Sequence, residues 1–524
     1  MPERYDAVII GAGPNGLVAA NLLADRGWQV LVLDSQPEPG GAVRSARDVH
    51  PDYVHDTFSA FYPLAAASPV LRRLGLEHHG LAWRHAPAVV GHPRQDGSWA
   101  LLHRDPELTA AEFDRAGPGD GAAWLELWRT WRRIGPDLVS ALLSPIPPVR
   151  GGAKLLAKLP FSGGLAVART LLEPVTTLTG LRFGGAGPQL LLGGLAGHAD
   201  IPLGAPGSGL MGLLLAMLGH SHGFPVPQGG ASALPDALAR RFVAAGGTLR
   251  CDTRVTGIRL VDGRVTGVEI EGADRVPAPV VIATVPAPTL YTRLIDPALL
   301  PRRVSRALEL FDPDPATIKV DWALDGPVPW AEPPPVAPGT VHLAGTPEEQ
   351  ALAHAAVHHQ VLPEQPNLVL GQMAVADPGR APAGAESLWA YTHVPRRVRL
   401  DLAGKIGDGW SPDDTERMAD RMQSVLARYA PELESRIVAR RVLGPDELER
   451  RDPSLVGGAI NGGTAGLHQQ LIFRPIPGLG RAETPFRGLF LGGSSAHPGG
   501  GVHGACGANA ARAALLARRL RRVR

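Results

Sequence analysis

The sequence predicts an α/β chain: a bipartite Rossmann-like dinucleotide-binding domain drawn from separate parts of the chain, with a mixed α+β domain inserted between them. Three observations carry this reading. The chain opens on a strand, a glycine turn and a helix (YDAVIIGAGPNGLVAANLLADRG), followed by a second strand, QVLVL, and Asp34. From Phe224 to Thr284 a loop, helix, strand, hairpin and one more buried strand follow. The last part returns to a strand, a glycine-rich loop and a long helix (FRGLFLGGSSAHPGGGVHGACGANAARAALLARRL). At 524 residues the chain has room for two or three domains or one large bipartite architecture.

The opening unit matches G-x-G-x-x-G directly after a strand and at the start of a helix. Gly11 makes the tight turn, Gly13 admits a pyrophosphate to the backbone, and Gly16 lets helix and strand close on each other. Pro14 and Asn15 stand at the helix start, whose free N–H groups and positive dipole end face the phosphates. Asp34 ends the second strand, where a carboxylate accepts hydrogen bonds from a ribose diol. Pro39-Gly40-Gly41 comes next, with Arg44 just beyond. This doublet resembles the second signature of two-dinucleotide-fold flavoproteins, a loop lining the pyrophosphate and ribityl chain, so the dinucleotide is read as FAD.

Composition narrows the function. The net charge of +2 gives no global field for nucleic acid. The arginines that close the chain (RRLRRVR) read as a solvated helix end favoured by its dipole, with weak attraction to an anionic membrane as the alternative. Cys251 and Cys506 are too few for a disulfide framework or a CxxC pair, which fits a reducing cytoplasm. No secretory signal is visible, and no apolar run reaches the roughly 20 residues that span a bilayer. GLMGLLLAMLG, from Gly209 to Gly219, reads as a buried helix.

Along the chain, SWALLH reads as a strand, and residues 106–223 turn helical. Trp124, Trp128 and Trp131 fall on overlapping helical faces, as core or as tunnel lining. LLAKLPFSGGLAVARTLL, with sparse Lys154, Lys158 and Arg169, could lie on a membrane surface. Its Pro and Gly-Gly breaks favour a helix packed on its neighbours. VTGIRLV and VTGVEIE flank an Asp262-Gly263 hairpin turn, and Val280–Thr284 reads as a strand rejoining a parallel sheet. ATIKVDWAL, LVLGQMAVA and LWAYTHV read as strands, Ser411–Tyr429 as a helix, and 327–338 as a proline-rich surface loop. This gives an FAD-binding domain from 1–75, 224–299 and 456–524, and a substrate or lid domain from 76–223 and 300–455.

VIIGAGPNGLVAANLLADRGWQVLVLDSQPEPGGAVRS, PQGGASALPDALARRFVAAGGTLRCDTRV, LWAYTHVP, QLIFRPIPGL and FRGLFLGGSSAHPGGGVHGACGANAA together resemble the carotenoid (phytoene) desaturase-related branch of FAD-dependent oxidoreductases. Phytoene dehydrogenase-like proteins and the pyridine nucleotide-disulfide oxidoreductase-domain type belong to it. The most specific stretch is His497-Pro498-Gly499-Gly500-Gly501. The resemblance implies that Gly11, Gly13, Gly16, Asp34, Gly40, Gly41 and Arg44 bind the ADP half and ribityl chain of FAD. It places Val255 on the adenine, and Gly493, Gly501 and Val502 along the pyrophosphate and isoalloxazine. It implies hydride transfer to flavin N5 from an apolar, polyene-like molecule that is desaturated or isomerised.

His497 and His503 flank the GGG loop, so either can serve as a base near neutral pH or simply brace the loop backbone. His55 and Asp56 form a secondary candidate pair. His354, His358 and His359 (HAAVHH) have metal-ligand spacing on a helix. The glutamate of HExxH is missing and the segment reads as polar loop, so no metal is expected. Gly493-Ser494-Ser495-Ala496 superficially resembles a nucleophile elbow, but a flavin loop accounts for it better. The expected activity is dehydrogenation or isomerisation of a lipophilic molecule, with oxygen, a quinone or a protein as electron acceptor and with peripheral membrane contact open. A flavin-binding protein of structural role and an amine or amino-acid oxidase are the alternatives. No aromatic cage is evident for the latter.

Overall fold

The structure is a computed structural model that describes residues 4–158 and 163–523. β1 (Ala7–Ile10), α1 (Pro14–Ala24) and β2 (Val30–Leu33) open the chain, and β3 (Ser45–Ala46) pairs with β4 (His55–Asp56). β5 (Ala88–Pro93) and β6 (Trp99–Leu102) precede a helical stretch that includes α2 (Asp120–Leu142), α3 (Ala186–Gly197) and α4 (Ser208–His222). Next come α5 (Ala233–Ala244), β7 (Thr248–Arg250), a meander of β8 (Val255–Val261), β9 (Arg264–Ile270) and β10 (Ala273–Pro277), and β11 (Val281–Ala283). The third quarter holds β12 (Ala316–Leu324), β13 (Pro338–Leu343), α6 (Pro347–His358), β14 (Leu368–Gln372), β15 (Glu386–Val394), α7 (Pro412–Ala427) and β16 (Ile437–Leu443). β17 (Leu489–Leu491) and α8 (Ala505–Val523) close the chain.

Two sheets organise these elements. The first is five-stranded and parallel, in the order β17-β11-β1-β2-β7. Its strands AVII and VLVL are buried at every residue, as a parallel sheet covered on both faces requires. Ala7, Ile9, Val30 and Val32 pack under Leu17, Leu238, Phe242 and Ala511 of α1, α5 and α8, while Val8, Ile10, Leu31 and Leu33 share a core with the meander and Tyr291. Register aligns the strand ends: Ile10 pairs with Leu33 and Ala283, Leu33 with Arg250, and Ala283 with Leu491. The loops at Gly11, Asp34, Thr284 and Gly492 therefore leave the sheet along one edge. β1 sits where the strand order reverses, the place where open α/β sheets bind ligands.

The second sheet is seven-stranded, in the order β16-β12-β15-β14-β13-β5-β6, antiparallel except where β13 meets β5. The period of two in β12 sorts its residues. Ile318, Val320, Trp322 and Leu324 join Met418, Met422 and Leu426 of α7 in one core, leaving Thr317, Lys319 and Asp321 on the other face.

Two expectations need correction. LVLGQMAVA is a strand only to Gln372; Met373–Ala376 turns helical because the buried Glu386 carboxylate accepts the Ala374 N–H at 2.7 Å. HAAVHH is not loop but the end of α6, whose Thr346 and Glu349 form a capping box. The stretch at 155–172 packs on its neighbours through Leu155 and Leu171 and leaves Leu156, Leu165 and Leu172 exposed; residues 159–162 lie outside the described ones. Trp124 belongs to the core, its indole N–H donating to His220 Nε2 at 2.9 Å. In the basic tail Arg518 lies over Trp28 and pairs with Asp6; side chains past 520 lie outside the described residues. No helix among the described residues is long and apolar enough to cross a membrane.

Candidate functional site

A single cavity of about 710 Å³ begins at the glycine turn of β1 and runs beneath the second sheet. At its start the backbone itself is the binding surface. Gly11 adopts φ +102°, and a Cβ there would come within 2.4 Å of Thr284 Oγ1. Gly13 caps α1 with no side chain over it, and Pro14 fills the position whose N–H has no helical partner anyway. The first N–H groups of α1 thus stay open toward the cavity, an arrangement made for phosphate oxygens. Asp34 accepts the Ala12 N–H at 2.6 Å and the Gln36 N–H at 2.8 Å. Burial raises its carboxyl above the usual range, opposed by those two bonds and by Arg44.

Gly41 (φ +54°) brings the second glycine loop against the first; a Cβ on it would lie 3.2 Å from Gly13 Cα. Gly11, Gly13, Pro14, Asn15, Asp34 and Gly41 all line the cavity, as do Val255, Gly501, Val502 and His503. Gly16, Gly40, Arg44, Gly493 and His497 act from behind its wall. A Cβ on Gly16 would sit 1.9 Å from the Gly11 carbonyl oxygen, and one on Gly493 2.4 Å from that of Thr284. A Cβ on Gly40 would meet Val43 O at 2.6 Å. Arg44 donates to the Gly41 carbonyl at 3.0 Å and lies over Phe58. These residues hold the loops in place. The two ends of the chain meet where α8 crosses α1: a Cβ on Gly507 would fall 1.8 Å from Asn15 O.

Neither histidine of the glycine loop is presented as a free base. His497 Nε2 lies 3.0 Å from Ser144 O, outside the cavity lining. His503 Nδ1 accepts the Ala505 N–H at 3.0 Å, its ring is also hydrogen-bonded to the Gly499–Gly500 backbone, and burial pushes it down to about 4. The loop is held instead by Arg474, which is almost fully buried and donates to the carbonyls of Asn461, Thr464 and Ser494. His55 and Asp56 are also structural. His55 bonds to Trp322 O, and Asp56 receives Arg380, Ser45 and the Ala231 N–H. Ser495 donates to Gly462 O rather than to a base.

Beyond the glycine loops the cavity widens into a chamber. One wall is apolar: Phe61 and Leu64, Met211, Leu214 and Leu215 of α4, and Phe224. The other is the outward face of the second sheet, where Lys319, Tyr391 and Val369 stand in register across β12, β15 and β14. Trp389 stacks beside Tyr391 and tilts onto Phe61, with ring centroids 6.1 Å apart in both pairs. Lys319, fully enclosed, pairs with Asp321, which Arg441 also holds at 2.7 Å. Burial lowers the Lys319 ammonium, with Asp321 opposing it. Tyr391 Oη contacts His198 Nδ1 at 3.2 Å, and burial pushes His198 down to about 4.

None of these wall residues stands out in the sequence, yet a signal exists. ATIKVDWAL puts Lys319 and Asp321 at alternate positions of an otherwise apolar strand, and LWAYTHV does the same with Trp389, Tyr391 and His393. Charged and hydrogen-bonding side chains on one face of a fully buried strand mark a face that meets a cavity.

Residues 9–74 match the NAD(P)-binding Rossmann-like domain, and residues 161–515, more than half the chain, match the flavin containing amine oxidoreductase family. The chain belongs to that family. It is an FAD-dependent oxidoreductase. It is 28% identical to the pyridine nucleotide-disulfide oxidoreductase domain-containing protein 2 of Mus musculus, over 98% of this chain and 93% of that one. It is 25% identical to the neurosporene-forming phytoene desaturase of Rhodobacter capsulatus, over 95% and 91%. Among solved structures, an oxidoreductase from Methanosarcina mazei shares the fold with TM-score 0.61 at 16% identity, covering 97% of this chain and 99% of that one. The bare α1 N-terminus, the Gly13–Gly41 contact and Asp34 fit the cofactor: phosphates on the helix end, a ribose on the carboxylate.

Proposed function

We propose that this flavoenzyme dehydrogenates a lipophilic molecule held in the chamber. The observation that carries the reading is continuity: one cavity joins a dinucleotide groove to an aromatic and aliphatic chamber. FAD bound here would supply the two-electron acceptor for hydride removal. Gly11, Gly13, Asn15, Asp34 and Gly41, which line the groove, would hold its ADP half, and Gly501 with Val502 would lie along its ring. The chamber walls exclude water and orient the substrate. His198 closes this wall rather than serving as a base: its Nδ1 lies 3.2 Å from Tyr391 Oη and its Nε2 3.0 Å from His342 Nε2. We assign 1–75, 224–299 and 456–524 to the cofactor domain, and 76–223 with 300–455 to the substrate domain; the membership of the two sheets supports this. The desaturases among the relatives support a polyene-like substrate. Exposed Leu156, Leu165 and Leu172 beside Lys154, Lys158 and Arg169 support peripheral membrane contact as its source.

Amine oxidation is the second reading, favoured by the family match. The chamber does bring Phe61, Trp389 and Tyr391 together, an aromatic grouping not legible in the sequence. Its charge argues the other way. Among the described residues the carboxylates lining the cavity are Asp34 and Asp452, both at the groove; Asp452 Oδ2 is 3.5 Å from the Cβ position of Gly41. The charged group on the sheet wall is Lys319, already paired with Asp321, so among the described residues that wall offers an ammonium no lining carboxylate. Anaerobic mixing with long-chain polyenes and, separately, with primary amines decides between them. Flavin bleaching by polyenes alone is expected; bleaching by amines alone overturns the proposal.

A further inference from the structure

The sheet wall of the chamber leaves one hydroxyl without a partner. Thr340, on β13, is 1% exposed and lines the cavity, yet its Oγ1 makes no hydrogen bond. Its neighbours explain why. Across β14 it faces Gly371, where a Cβ would come within 2.3 Å of the Trp389 indole. On its other side it faces Val90 of β5. Next to it Gly339 abuts Ala86 and Phe61, at 2.9 and 3.0 Å from its Cβ position. The hydroxyl therefore sits among glycine backbone, aromatic rings and aliphatic groups. Buried polar groups in native proteins are nearly always paired, and an orphan is costly. Valine has the same shape and would remove that cost, so the apolar niche does not itself call for an oxygen.

We propose that the chamber takes an apolar molecule carrying a hydroxyl or carbonyl oxygen, and that Thr340 Oγ1 bonds that oxygen. The inference rests on the reading of the chamber as the substrate's half of the cavity. A threonine hydroxyl donates to a carbonyl and both donates to and accepts from a hydroxyl, so the site suits either. A pure hydrocarbon leaves Thr340 unpaired, and a buried site built to bond an oxygen rejects the analogue that lacks it. Tyr391, on the same face two strands away, keeps its own partner in His198. Among the described residues lining this wall, Thr340 carries the buried side-chain oxygen with no hydrogen-bond partner.

The test titrates the holoenzyme with 1-dodecanol and with dodecane, delivered from one cyclodextrin carrier and read by the flavin band and tryptophan fluorescence. The wild type is expected to bind the alcohol about tenfold tighter, the worth of one net hydrogen bond. Thr340→Val is expected to weaken the alcohol and strengthen dodecane. Opposite signs separate an oxygen contact from a packing defect, which moves both probes together. Thr340→Ser keeps the hydroxyl and the preference, and decides the matter with the wild type if the valine variant does not fold. Equal binding of the two probes, or a parallel shift in Thr340→Val, overturns the proposal and leaves the chamber reading standing. If neither probe binds a fully flavinated protein, the chamber reading fails and the proposal with it.

Discussion

Replacing Arg380 with methionine tests whether Asp56 holds the fold or serves the chemistry. Arg380 is fully buried, 2.9 Å from Asp56 Oδ1 and 3.1 Å from Asp377 Oδ2, and it donates to Pro227 O at 3.0 Å. It ties β4 to the loop after β14 and to the chain before α5. Methionine fills much of the volume but leaves two buried carboxylates without their cation, a loss of about 3–5 kcal/mol. An unfolding entropy of about 2.1 cal/mol/K per residue comes to about 1.1 kcal/mol/K for 524 residues unfolding as one unit. Scanning calorimetry should therefore show Tm lower by about 3–5 °C. Asp56→Asn combined with Arg380→Met removes one stranded charge and should recover part of the loss, since residues in one network do not add. An Arg380→Met protein melting within about 1 °C of wild type would refute the reasoning. So would Asp56→Asn alone abolishing turnover at unchanged Tm, which would return Asp56 to the chemistry.

Gly16→Ala and Gly507→Ala should each purify with little flavin, because the new methyl meets a backbone oxygen at 1.9 or 1.8 Å; full flavin occupancy by absorbance would contradict the packing argument. His92, His198, His220 and His503 are each pushed to about 4 and His354 to about 3 by burial. Their folded values lie below the unfolded value, so the stability they contribute is complete above about pH 6.5 and lost as pH falls from there toward 4. Each weakens the fold by up to about 1.4 kcal/mol per pH unit in that window, so denaturant midpoints should fall steeply from pH 7 to 5, and a flat profile would show these rings to be solvated. His497→Ala should change flavin reduction less than about threefold, against the roughly hundredfold or more expected for a lost general base. A hundredfold loss would restore His497 as a catalytic residue.

The cofactor half was legible because its constraints are local. Gly11, Gly13 and Gly16 have roles fixed by one turn, and the hairpin at Asp262-Gly263 announces itself in two residues. The register that aligns Ile10, Leu33, Arg250, Ala283 and Leu491 is not local, but a parallel sheet with glycine loops at its strand ends left few other arrangements. The chamber was not legible. Lys319, Thr340, Trp389 and Tyr391 come from strands whose order, β12-β15-β14-β13, is not their order in the chain. The surroundings of the histidines beside the glycine loop were hidden for a related reason. Proximity in sequence puts His497 and His503 near the loop, but side-chain direction decides what they face, and both rings turn to backbone groups. HAAVHH looked like a loop until Thr346 and Glu349, several residues upstream, are read as a cap.

If the two ends of the chain close around one FAD that opens onto a substrate chamber, the purified protein carries the flavin. The visible spectrum of the purified protein, with flavin counted per chain before and after incubation with FAD, tests it most directly. One FAD per chain is expected, bleached by anaerobic photoreduction and restored by an added oxidant. A colourless chain that takes up no FAD would contradict it.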